Sequence, residues 1–231
     1  MEDGNNSVCD IAGLIKEARK AKEQGDINKA CSIYRDIEKK DASNWEALFY
    51  SAYLDAMQAD VKRFWHASVA LMNSEHSILT IIKKGLKVSE GNNVVNTVFD
   101  GLEKASMRFI DVARNKFKGL NSTDREDFIA EYVSIQSAAA EIMYTYGDEL
   151  VNMFGDEYGM VAVKSWKKAI DINCRYTKFV TNISEHRECI ENNVAKIHKY
   201  DPDYKAPEIS MPRKKGLMDS VRRLFDKLKA S

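Results

Sequence analysis

Proline is missing from the first 199 residues of this chain, and all three prolines, Pro202, Pro207 and Pro212, fall between Tyr200 and Gly216. A proline removes a backbone donor and clashes with the preceding helical turn, so its absence leaves helices free to run. Three prolines in one short segment bias their neighbours to extended backbone. The distribution predicts a helical body, a linker over 200–216 and a terminal helix over 217–231.

Apolar spacing within the body supports helices. Val95, Val98, Leu102, Ala105, Phe109 and Val112 recur at alternating steps of three and four, and Phe99, Ile110 and Phe117 widen that face towards a second neighbour. Phe128, Tyr132, Ile135, Ala139, Ile142 and Tyr146 repeat the pattern, and no segment alternates with the period of two that marks a strand. The fold class expected is all-α. Helices are predicted over Ile11–Gln24, Ile27–Lys40, Asn44–Ala59 and Phe64 to about Leu86, with a chain break at Gly91-Asn92-Asn93. Gly25-Asp26 fits a left-handed turn followed by a capping aspartate. Thr123-Asp-Arg-Glu126 fits a capping box opening a long helix that Gly155 to Gly159 interrupts. A second long helix is expected to carry Trp166, Ile170, Tyr176, Val180, Ile183, Ile190, Val194 and Ile197, so that two helices of about 30 residues pair as an antiparallel hairpin. The organisation read from this is a polar segment at 1–10, helical hairpins at 11–90 and a long-helix bundle at 91–199, followed by the linker and terminal helix.

Within the first hairpins, Leu14 and Ala18 precede the Gly25-Asp26 turn, Ala30-x-x-x-Tyr34 follows it, and Leu48 and Ala52 repeat the first pair inside the run Asn44-Trp-Glu-Ala-Leu-Phe-Tyr50. This pattern resembles the tetratricopeptide repeat, a helix-turn-helix unit of about 34 residues. Ala42 stands where the family usually has proline, Glu17 replaces an apolar residue, and Ala67 with Leu71 keep the next small-large pair only after a three-residue insertion. About one and a half degenerate repeats span Ile11 to Leu71; the alternative is a plain helical hairpin. The resemblance implies a concave surface that binds a protein or peptide, without catalysis. Trp45, Tyr50 and Trp65 are the candidate partner-binding residues, because aromatic side chains near the first helices of such hairpins serve as anchors as well as core.

Composition narrows the remaining classes. With 231 residues and 44% hydrophobic content the chain can bury a core. No apolar run reaches the ~20 residues a bilayer crossing needs, and Met1–Asp10 is polar and acidic, so the expected location is cytoplasmic. Cys9, Cys31, Cys174 and Cys189 form no Cys-x-x-Cys pair and read as buried thiols. No cofactor or metal is expected. His186 and Cys189 lie three apart beside Glu185, too few ligands for a closed zinc site. The pairs Glu126-Asp127 and Asp156-Glu157 sit at helix starts, where negative charge offsets the macrodipole. There is no Gly-rich phosphate loop, nucleophile elbow or Glu-x-x-His pair.

Charge is balanced overall but not locally. From Pro212 onward seven Lys or Arg face only Asp219 and Asp226, a net +5, which leaves −5 on Met1–Met211. Leu217, Val221, Leu224 and Leu228 form an apolar stripe flanked by Met218 and Phe225, opposite Arg222, Arg223, Lys227 and Lys229. Such a helix can pack on protein, including the acidic body, or lie peripherally on an anionic membrane; nucleic acid is not the expected partner. The function expected is a non-catalytic adaptor or scaffold, with a membrane-peripheral scaffold as the alternative, an enzyme without a recognisable motif as the third, and homo-oligomerisation through the long helices as a further contact.

Overall fold

The computed structural model describes residues 3–85, 88–176, 179 and 184–209, with backbone alone at 3–9, 88, 89 and 185. Every regular element among them is helical: α1 (Asp3–Glu23), α2 (Ile27–Lys40), α3 (Trp45–Gln58), α4 (Phe64–Gly85), α5 (Val88–Gly119), α6 (Ser122–Phe154), a 3₁₀ turn (Gly155–Tyr158), α7 (Gly159–Tyr176) and α8 (Ser184–Ile197). None of these helices is long and apolar enough to cross a membrane. The expected terminal helix, with Leu217, Val221, Arg222, Arg223, Leu224, Phe225, Lys227 and Leu228, lies outside the described residues.

The first turn forms for the reason read from its residues. Gly25 takes φ +76°, which ends α1, and the Asp26 amide donates back to the Ala21 carbonyl at 2.9 Å. The Asp26 carboxylate then accepts the Lys29 amide at 3.1 Å and starts α2. Asn44 caps α3 in the same way, accepting the Ala47 amide at 3.0 Å.

Four boundaries differ from expectation. α1 starts at Asp3 rather than Ile11, since nothing between Asn5 and Asp10 obliges a helix to stop. α5 runs straight through Gly91-Asn92-Asn93. Gly91 serves packing there instead of a turn, because a Cβ would lie 3.0 Å from the Tyr158 hydroxyl and 3.2 Å from Ile82 Cγ2. α6 is capped by Asn121, two residues before Thr123: its side chain accepts the Asp124 amide at 3.0 Å and donates to the Asp124 carboxylate at 2.9 Å. The second long helix is two shorter ones. α7 ends at Tyr176 and α8 folds back along it, so His186 meets Tyr176 at one end while Lys196 reaches Asp148 and Trp166 at the other. The fold-back places Ile190 and Ile197 in the same core as Ile170 and Tyr176; Val180 and Ile183 lie outside the described residues.

The described part of the expected linker is held against α7. The Tyr200 ring lies over Gly159, where a Cβ would collide with it, and its hydroxyl donates to Asp156 at 2.6 Å. Lys167 pairs with Asp201 at 2.6 Å and sits over the Tyr204 ring, while the Cys174 thiol points at the Pro207 carbonyl.

Burial divides into two clusters that meet on α3. A front cluster gathers Ala18, Ala21, Ala30, Cys31, Tyr34 and Ile37 with Ala47 and Leu54 of α3. A larger rear cluster takes Phe49, Ala52 and Ala56 from α3 and continues through Leu71, Ile78, Leu102, Phe109, Ile135, Tyr146, Trp166 and Ile170. The stripes predicted on α5 and α6 are buried in this rear cluster, apart from a half-buried Val112.

Candidate partner-binding groove

A cleft of about 580 Å³ opens where the two clusters adjoin. Its floor is α3, which presents Phe49, Tyr50, Tyr53, Leu54, Met57 and Gln58 at helical spacing. Thr97, Asp100, Gly101 and Lys104 of α5 form one wall, and Lys22 with Ile27, either side of the α1–α2 turn, form the other. Gly101 sets how near α5 comes: a Cβ at that position would overlap the Phe49 ring.

The aromatic floor is a connected stack. Tyr50 lies on Tyr34 with centroids 5.3 Å apart, and Phe49 lies on Tyr53 at 5.4 Å. Lys22 Nζ sits 3.4 Å from the Tyr50 ring centroid, so a cation caps the aromatic face at the rim. On the far wall, exposed Lys104 and Asp100 add one charge of each sign. Burial raises the Tyr53 phenol, with neighbouring Tyr50 adding to the effect.

A polar brace behind the floor ties α1, α2 and α3 together. Glu46, 6% exposed, accepts from Arg19 Nε at 2.8 Å, from Arg19 Nη2, and from the Tyr34 hydroxyl at 2.9 Å. Burial alone would raise the Glu46 carboxyl, but the hydrogen bonds from Arg19 and Tyr34 outweigh it and hold the group below its usual range. Burial, with Glu46 beside it, drives the Tyr34 phenol up. The brace keeps Tyr34 in place under Tyr50, and so fixes the height of the cleft floor.

Of the three aromatic residues singled out from the sequence, Tyr50 lines the cleft. Trp45 is half-buried in the first turn of α3 and packs against the rear cluster, and Trp65, 53% exposed on α4, stands edge-on to Phe64. Neither is among the cleft's lining residues. Tyr53 and Met57 could have been found by stepping along α3 from Phe49 in fours. The α5 wall carried no such signal, because its membership depends on how α5 registers against α3.

His186 and Cys189 do share α8, but they turn to different partners: His186 Nδ1 lies 3.4 Å from the Tyr176 hydroxyl, and Cys189 contacts Asn193. Among the described residues no three His, Cys, Asp or Glu side chains converge in an arrangement that could hold a metal ion. No family model, no curated protein and no solved structure matches the chain.

Proposed function

We propose that the protein is a non-catalytic cytoplasmic adaptor that receives a peptide segment of a partner protein in the α1–α3–α5 cleft. The observation that carries this reading is the composition of the cleft, whose floor presents half-buried Tyr50, Tyr53 and Met57 over buried Phe49 and Leu54, between two lysine-bearing rims. Half-exposed Tyr50 and Tyr53 offer contact area at little cost in side-chain entropy, because each has two rotatable bonds and a ring neighbour that already orients it. The occupant this chemistry fits is a segment with an apolar or aromatic anchor next to a carboxylate, the anchor on Tyr50, Tyr53 and Met57 and the carboxylate between Lys22 and Lys104.

The test is capture with the wild type and a Tyr50→Ala/Tyr53→Ala variant of equal helicity, followed by direct titration of the purified partner segment. Affinity is expected to fall about tenfold or more. A partner that binds both proteins equally places the contact elsewhere. A second reading, a membrane-peripheral scaffold, is supported by the +5 charge of 212–231 and the apolar stripe within 217–231. It requires salt-sensitive flotation with anionic vesicles that disappears when 217–231 is deleted.

A further inference from the structure

The rear cluster contains a glutamate with no visible means of support. Glu75, in the middle of α4, is 0% exposed, and among the described residues neither of its carboxylate oxygens has a hydrogen-bond partner. An ionised carboxylate buried without partners is among the most costly groups a protein can contain. Its electrostatic neighbour is Glu149 of α6, which turns one oxygen to His76 Nδ1 at 2.9 Å and keeps the other, Oε2, buried and also without a partner. Unpartnered acceptor oxygens thus come from two acids on two packed helices. Two ionised carboxylates can only repel, whereas a single proton makes one of them a donor to the other.

We propose that Glu75 and Glu149 share one proton and that this proton is the clasp between α4 and α6: Glu75 carries it and donates to Glu149 Oε2, and its release to solvent loosens the junction. Among the described residues, no cation is paired with Glu75 from within. Tyr146 of α6 is fully buried and donates to the Val95 carbonyl of α5 at 2.8 Å, so its proton is already committed, and Tyr158 of the 3₁₀ turn faces Tyr146. On the α2–α3 side, Arg35, Glu38 and Asp55 line a separate cleft with Asn73, Ser74 and Ser77 of α4, which includes neither Glu75 nor Glu149. His76 reaches only the outer oxygen of Glu149 and is itself exposed. Burial, and then the charge of Glu149, both push the Glu75 carboxyl well above its ordinary value of 4.5.

The unfolded chain releases the Glu75 proton near the ordinary value, while the folded chain keeps it, so folding is favoured at low pH. Stability from this group is fully present below about 4.5 and is lost as pH rises towards the folded value. Two measurements decide the matter. In the first, denaturant unfolding is compared across pH for the wild type and Glu75→Gln, whose amide can donate to Glu149 at every pH. The wild type should lose ground to the variant by about tenfold in the unfolding constant per pH unit over that window; a difference that stays constant with pH overturns the proposal. In the second, infrared spectra of the wild type alone should contain the band of a protonated, unhydrated carboxyl at neutral pH, which disappears on alkaline titration. Absence of that band overturns the proposal even where Glu75→Gln does not fold.

Discussion

The front of the molecule and its rear bury the same residue type in opposite ways. Glu46, between α1, α2 and α3, is held by a guanidinium and a phenol, whereas Glu75, between α4 and α6, has no donor at either oxygen. The difference matches what surrounds them. The front cluster is built from alanines, Ala18, Ala21, Ala30 and Ala47, around one Tyr34, and small side chains supply little apolar area. Its helices need a directional contact to fix their mutual positions. The rear cluster packs Phe64, Leu71 and Ile78 of α4 with Leu102 and Phe109 of α5 and Trp166 of α7, enough buried area to tolerate one acid whose charge is removed by a proton. Thin packing with a satisfied ion pair and thick packing with an unsatisfied acid are two routes to a stable junction, and they respond to pH in opposite directions.

The largest test of that contrast is Leu102→Ala in the rear. Leu102 is fully buried on α5, and its truncation should cost about 2–5 kcal/mol, read as a lower denaturation midpoint with the cooperative slope retained. A loss confined to well under 1 kcal/mol would mean that the rear core is not the main source of stability. Next comes Glu46→Gln in the front, expected to cost about 1–2 kcal/mol because Arg19 is more than half exposed and its pairing is weakened by solvent. Here the folded carboxyl lies below its ordinary value of 4.5, so its contribution is present above that value and is lost as pH falls through the folded value. The acid arm of the stability curve should therefore flatten in Glu46→Gln while the alkaline arm assigned to Glu75 is unchanged; equal slopes in acid would remove the brace from the explanation. Smallest is Gly25→Ala, which forces a side chain into φ +76° and should cost about 1 kcal/mol, with hydrogen exchange rising mainly in α1 and α2. Uniform exchange across the chain would show that front and rear unfold as one unit.

Much of the architecture can be read from residue order, and the places where reading fails share a cause. Absence of proline and the three-four spacing identify an all-α body, and Asp26 marks a helix start because it stands alone as a capping residue before an apolar run. Where several capping residues compete, as in Asn121-Ser-Thr-Asp124, tertiary placement chooses among them, and Asn121 prevails. Gly91 looks like a break because the residue that needs its missing side chain, Tyr158, is 67 positions away. Between Met160 and Lys199 there is neither glycine nor proline, so no local stop signal in the residue order separates α7 from α8, which packs back along it. The cleft was half legible: Tyr50 stands out as an aromatic on a helical face, but Lys104 and Gly101 join it only through the approach of α5.

The position of α3 has a mechanical corollary. With Ala47 and Leu54 seated in one cluster and Phe49, Ala52 and Ala56 in the other, this helix is a party wall, and its Tyr50 and Tyr53 look out through the seam. A guest wedged against those rings leans on both chambers at once, so its arrival should be felt as far away as the tyrosine beneath the wall on one side and the glycine-backed phenylalanine on the other.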